Sequence, residues 1–310
     1  MVTTAFVLSG GGSLGAVQVG MLQALATHDV RPDLLVGTSA GAVNVAWIAG
    51  HGMSPDSLAE LADVWTGLRR RDVFPVDPRQ VLRGLVGRSA GVASDAALRR
   101  LVRAHATIDD LTQARVPTHL VAADLLSGRQ VLISSGDVVD GVLASAAIPG
   151  ILPPVASAGR HLVDGSVALH AGVSQAVDLG ATLVYVLPTG APCALPEPPQ
   201  SAVGVALHSL TLLIAQRLIN EIAGLQGAAE IKVLPPLCPL AVSASDFRHA
   251  AELIARARQT SLEWISSGDI DLPAPERFLS LHHHRPEGMQ DEPSSAQGRR
   301  PRRGTAPARG

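Results

Sequence analysis

Within its first fifty residues the chain twice runs a short apolar segment into a glycine-marked turn and then into a helical pattern. "AFVL" at 5–8 leads into "SGGGSLG", after which Leu14, Val17, Met21 and Leu25 recur at helical spacing. "LLVG" at 34–37 leads into Thr38, Ser39, Ala40 and Gly41, with a helix expected from about Ser39 to Ala49. Such short apolar runs, closed by glycine, suit buried strands. Strand, helix, strand, helix is the pattern of a parallel sheet covered by helices. The expected class is α/β, a three-layer α/β/α arrangement with a mostly parallel central sheet.

The rest of the chain extends this pattern. Strands are expected at "THLVAAD", "RQVLIS", "HLVDG", "TLVYVLP" and "EIKVLPP", and helices near 138–146 and over "VALHSLTLLIAQRLINEI". A last helix is marked by Ala250, Leu253, Ile254 and Ala257, with Ser245 as its expected cap. Residues 53–105 read as a helical insertion over the sheet. Ser54 caps a helix there, Pro55 takes its first position, and Leu58, Leu61, Ala62 and Trp65 form its apolar face. A second helix of the insertion is expected over 96–104. The folded domain is placed at 1–284. Residues 285–310 carry six arginines and three acids and almost nothing apolar, so a disordered, solvated tail is expected.

Composition excludes several classes of function. With 46% hydrophobic residues and a mean hydropathy of +0.25, a disordered protein is ruled out. A net charge of −2 offers nothing to a nucleic-acid partner. The N-terminus lacks a basic region before its apolar run, so no signal peptide is read there. The most membrane-like stretch, "LLVGTSAGAVNVAWIAG", contains Gly, Thr, Ser and Asn and is better read as a buried strand followed by a buried helix. A cytoplasmic protein with at most peripheral membrane contact is expected. Cys193 and Cys238 show no CxxC spacing and read as incidental thiols. The triplet His282–His284 has no ligand set placed near it in the sequence, so no metal site is expected.

The turns carry the chemistry. Gly37-Thr38-Ser39-Ala40-Gly41 has the G-x-S-x-G pattern of a nucleophile elbow between strand and helix. In so tight a turn, side chains at the flanking positions would clash, and glycine tolerates unusual backbone angles. Ser39 is the candidate nucleophile. Gly10, Gly11, Gly12 and Ser13 form a second turn whose backbone N–H groups suit an oxyanion hole. Parallel strands would bring both turns to one edge of the sheet. A serine hydroxyl needs a base. Asp164, at the end of the strand "HLVDG", is the preferred candidate, with His170 as an alternative base for a Ser–Asp–His esterase. Gly10, Gly12 and Gly15 also fit the dinucleotide fingerprint, but Asp33 sits at the start of the second strand, where that fingerprint needs an acid at its end.

Together, "SGGGSLGAVQVGMLQAL", "PDLLVGTSAGAVN", "ASAAIPGILPPV" and "HLVDGS" resemble the patatin-like phospholipase family, and "DFRHAAELIARAR" resembles its C-terminal helix. The resemblance implies a Ser39–Asp164 dyad acting without metal or organic cofactor, an oxyanion hole around Gly10 to Ser13, and hydrolysis of lipid acyl esters. A non-catalytic lipid-binding protein on the same fold is the alternative from another class. The insertion and the apolar helix over 203–222 are candidate walls for an acyl chain. Leu14 stands where many members carry a basic residue, and "DGS" replaces their more usual D-G-G or D-G-A.

Overall fold

In the computed structural model, strand β1 (Thr4–Leu8) lies between β2 (Leu34–Thr38) and β7 (Leu183–Leu187), and all three are parallel. The structure describes residues 2–282 and 284, apart from 76–77, 79–80, 83–87 and 169–171. The expected tail from 285 onward and the alternative base His170 lie outside the described residues.

The sheet runs β5-β6-β3-β2-β1-β7-β8, with β4 also pairing with β3. β3 (Thr118–Asp124) is parallel to β2, and β8 (Glu230–Val233) is parallel to β7. β4 (Gln130–Ile133), β5 (Val155–Ser157) and β6 (Arg160–Asp164) form the antiparallel flank. The sheet is therefore mixed, with parallel strands running from β3 to the β8 edge and antiparallel strands at the other side. Every residue of β2 is buried, as expected for a parallel strand covered on both faces.

Period-two alternation divides β1 between two cores. Phe6 and Leu8 face one helical layer, and Ala5 and Val7 face the other. The first layer contains α1 (Gly15–Thr27), α2 (Ala40–His51), α3 (Pro55–Gly67), α4 (Ala96–His105), α5 (Val138–Ser145) and α8 (Ala250–Ser267). The second contains α6 (Val173–Asp178) and α7 (Ala202–Gly224), which bring Val173, Ala176, Leu218 and Ile222 onto Val7 and Val36. Burial of each such aliphatic side chain contributes about 1.5–3 kcal/mol. α1 and α8 cross closely at Gly20, where a Cβ would stand 2.2 Å from the Ile254 carbonyl oxygen.

The insertion begins as expected. The Ser54 hydroxyl accepts the Ser57 N–H at 3.1 Å, and Pro55 opens α3. Ser245 does not cap the last helix. Asp246 accepts the Arg248 N–H at 3.1 Å and starts a short 3-10 turn that leads into α8. A carboxylate one residue further on reaches the free amide that Ser245 was expected to satisfy. Among the described residues no helix is long and apolar enough to cross a membrane.

Candidate active site

β1 and β2 are in register with Leu8 opposite Gly37, so the two glycine turns leave the sheet level with each other. α2 begins immediately after Ser39, which adopts φ 56° and ψ −119°. Positive φ is unusual for a residue with a side chain and costs on the order of 1–3 kcal/mol. The glycines were expected to take the unusual angle, but it falls on the serine. Their own role is close approach. A Cβ on Gly37 would stand 2.5 Å from Val45 Cγ2, and one on Gly41 would stand 2.1 Å from the Leu8 carbonyl oxygen. Helix α2 therefore presses on β1 and β2 and holds Ser39 in its strained conformation.

The Ser39 N–H donates to Ser145 Oγ at 3.0 Å, and the Ser145 hydroxyl donates to the Val121 carbonyl at 2.6 Å. The Ser39 hydroxyl donates to Asp164 Oδ2 at 2.6 Å. Asp164 reaches it because β6 pairs with β3 so that Asp164 stands opposite Ala122, while Thr38 stands beside Val121. Two adjacent register positions thus bring the end of β2 against the end of β6. The other carboxylate oxygen, Oδ1, accepts the Ser166 N–H at 2.8 Å. Gly165 is required where the chain turns, since a Cβ there would meet the Val121 carbonyl oxygen at 2.3 Å.

Asp164 is 1% exposed. Burial pushes its carboxyl above the usual range, and the hydrogen bonds from Ser39 and Ser166 pull it only part of the way back. Desolvation thus makes this carboxylate a stronger base than one in water. A short hydrogen bond to a hydroxyl then gives it a proton within reach.

The first glycine turn packs on the same pair. A Cβ on Gly10 would meet Ser166 Oγ at 2.5 Å and Ser39 Cβ at 3.1 Å. Among the described residues the N–H groups of Gly10, Gly11 and Gly12 have no acceptor, whereas the Ser13 N–H donates to the Ala244 carbonyl at 2.8 Å. The expected set of free donors therefore narrows to the three glycines, because Ser13 spends its N–H on the loop before α8. Asp33, the acid of the dinucleotide alternative, accepts the Thr4 N–H at 2.9 Å at the opposite edge of the sheet.

Other residues hold these turns in place. Gln18, fully buried, donates to the carbonyls of Ser9 and Leu187 at 2.8 and 2.9 Å. Asn44 of α2 donates to Gly15 O and to Gln18 Oε1, and its own oxygen accepts Trp65 Nε1–H at 2.8 Å. Thr189 donates its hydroxyl to the Gly10 carbonyl at 2.7 Å. Arg217 of α7 donates to the carbonyls of Ser166 and Ala168 at 2.9 and 2.7 Å, which fixes the chain just after Asp164. Sequence reasoning missed all of these. A signal was present in each of three cases: Gln18, Asn44 and Arg217 are polar residues within strongly apolar helical runs.

A small apolar cavity opens at Ser39, walled by Val43, Trp65, Leu68, Phe74, Leu98 and Phe247 among others. A second small apolar cavity shares Val43, Trp65, Leu68 and Leu101 with it. The 53–105 region thus lines the space beside the serine. α7 does not. It contributes Leu212 and Leu218 to a different cavity, which Thr189 also lines.

The cysteines and histidines also depart from expectation. Cys193 Sγ lies 3.9 Å from Cys238 Sγ, and Cys238 Sγ lies 3.0 and 2.9 Å from Nε2 of His282 and His284. Two thiols thus lie beside these histidines, brought there by folding rather than by sequence spacing.

An uncharacterized NTE family protein of Mycobacterium tuberculosis is 31% identical over 162 residues, covering 51% of this chain and 25% of that protein. Lysophospholipase NTE1 of Pyricularia oryzae is 26% identical over 194 residues, covering 59% of this chain and 12% of that protein. The chain thus spans a quarter or less of the length of these two relatives. Among solved structures, VipD from Legionella pneumophila superposes with a TM-score of 0.45 at 15% identity, covering 86% of this chain and 66% of that one. Human GIVD cytosolic phospholipase A2 in complex with methyl gamma-linolenyl fluorophosphonate gives 0.41 at 11% identity, covering 90% and 59%. The family model described as patatin-like phospholipase matches residues 6–177, from β1 through both glycine turns and Asp164 to α6. That match takes in more than half of the 310 residues, and the chain belongs to the patatin-like phospholipase family.

Proposed function

We propose that the protein hydrolyses acyl esters of lipids, of the phospholipase A or lysophospholipase type, through a Ser39–Asp164 dyad. The observation that carries this reading is the 2.6 Å hydrogen bond from the Ser39 hydroxyl to a desolvated carboxylate. In the first half-reaction, Ser39 Oγ attacks the ester carbonyl carbon as its proton passes to Asp164 Oδ2. The carbonyl oxygen takes up the negative charge. The N–H groups of Gly10, Gly11 and Gly12 are the donors for it, and such donors typically contribute about 3–4 kcal/mol each to the barrier. The intermediate collapses, the alcohol leaves with the proton from Asp164, and the acyl group remains on Ser39.

Water completes the reaction. It gives a proton to Asp164 and attacks the acyl-serine, and Asp164 then returns that proton to Ser39 Oγ as the fatty acid departs. Each step uses groups of the chain itself and water. The apolar cavity beside Ser39 supports an acyl chain as the bound group, since it offers hydrocarbon contact.

Labelling by a fluorophosphonate probe tests the reading, with Ser39→Ala and Asp164→Asn compared with wild type after all three are shown to be folded. Wild type should label and both variants should not. Retention of label in Ser39→Ala would move the nucleophile elsewhere, and a folded wild type that does not label would overturn the proposal. Release of fatty acid from a panel of phospholipids and lysophospholipids then identifies the ester.

A further inference from the structure

At the loops after β7 and β8, four donors meet. Cys193 follows β7, Cys238 follows β8, and His282 and His284 lie in the segment after a 3-10 turn at Pro275–Leu279. The four donor atoms lie within 4.8 Å of one another. We propose that Cys193, Cys238, His282 and His284 form a structural Zn²⁺ site that fastens the stretch carrying His282 and His284 to the loops after β7 and β8.

The chemistry of the donor set selects the ion. Two thiolates and two neutral imidazoles are the ligands of closed tetrahedral zinc sites, and two thiolate charges balance a divalent cation. With no carboxylate among the four, hard cations such as Ca²⁺ and Mg²⁺ have nothing to bind. The sulfur–sulfur separation of 3.9 Å matches the edge of a tetrahedron with zinc–sulfur bonds of about 2.3 Å. It is about twice the length of a disulfide bond. The histidine nitrogens, at 3.0 and 2.9 Å from Cys238 Sγ, need to withdraw by about half an ångström to reach a zinc–ligand edge. Both rings are exposed and can turn that far.

The surroundings are built for ligation. His282 Nδ1 lies 2.9 Å from the Ser280 carbonyl. A carbonyl only accepts, so Nδ1 carries a proton in this contact, and Nε2 is the nitrogen that faces the cluster. The Leu240 N–H donates to Cys193 Sγ at 3.3 Å and orients the sulfur. Two backbone hydrogen bonds hold the frame. The His284 N–H donates to the Cys193 carbonyl at 2.6 Å, and the Cys193 N–H donates to the Leu240 carbonyl at 3.0 Å. None of these groups takes part in the Ser39 chemistry, so the two proposals stand or fall separately.

The test uses the full chain, purified without a polyhistidine tag and with its thiols reduced. Elemental analysis should find about one tightly held zinc per chain. Cobalt exchanged into the site should show intense tetrahedral d–d bands with thiolate charge transfer. Cys238→Ser and His284→Ala should each lose those bands and weaken zinc binding about tenfold or more in competition with a chromophoric chelator, since even outer-shell losses cost that much. His284 is exposed, so its variant tests the site without threatening the core. A reduced wild type that holds no zinc or cobalt would overturn the proposal. So would variants that bind both metals as wild type does, or a Cys193–Cys238 disulfide with no metal binding on reduction.

Discussion

The Leu8 carbonyl oxygen occupies the place where a Cβ on Gly41 would sit, 2.1 Å from the ideal position. The first turn of α2 therefore rests directly on the end of β1, and the two glycine turns are held together as one unit. Neither backbone can move away, because Leu8 is paired on both sides, with Gly37 and with Leu187.

Gly41→Ala should therefore destabilise the fold by about 3 kcal/mol or more, above the usual range for one added methyl, because the obstacle is backbone rather than a side chain. Chemical denaturation measures it. Activity in the folded fraction should fall as well, since Ser39 moves with α2.

Asp164 ties stability to pH. Its carboxyl keeps its proton to a higher pH when folded than when unfolded, because burial outweighs its hydrogen bonds. Over the interval between the two values the folded chain binds more protons. The contribution of this group is thus full below the unfolded pKa and is lost as pH rises through the folded one. Asp164→Asn should remove that loss, leaving the variant as stable as wild type or more so at neutral pH. Its hydrolytic rate should nevertheless fall by about 10²–10⁴. In wild type, activity should rise with pH through the same raised pKa. Denaturation curves and rate–pH profiles of the two proteins provide the check.

Trp65→Phe keeps the ring in the core but removes the donor that satisfies Asn44 Oδ1. A buried acceptor left unpaired costs about 1–3 kcal/mol. The loss should appear as a lower midpoint of unfolding with an unchanged slope.

Leu101 lines both apolar cavities beside α2. Leu101→Trp should fill the junction between them. Hydrolysis of long-chain esters should then fall about tenfold or more relative to short-chain ones, a loss of the size that one or two methylene contacts carry. Rates on a series of p-nitrophenyl esters of increasing chain length measure the ratio.

Much of this site was legible in the sequence because its parts are local. A strand that runs into G-x-S-x-G or S-G-G-G must turn within a few residues, and the glycines mark where. Asp164 was legible for the same reason, as an acid between an apolar strand and a glycine. The direction of its strand was not legible. β6 is antiparallel to β3, and only the pairing of Asp164 with Ala122 brings the carboxylate to Ser39. The network of Gln18, Asn44 and Trp65 and the support from Ser145 and Arg217 depend on side chains that meet across the fold. Cys193 and Cys238 lie 45 positions apart in sequence, and no spacing rule covers two loops joined only by the order of strands.

The strained serine also bears on how the chain is made. Ser39 and its carboxylate partner are separated by 125 positions, and α2 and the sheet must hold the serine's backbone angle before the two can meet. A chain emerging from the ribosome therefore carries an ordinary alcohol at this position until β6 has been synthesised and has docked against β3. On the proposed mechanism, reactivity therefore comes only with the completed sheet, and an unfinished or misfolded copy carries none.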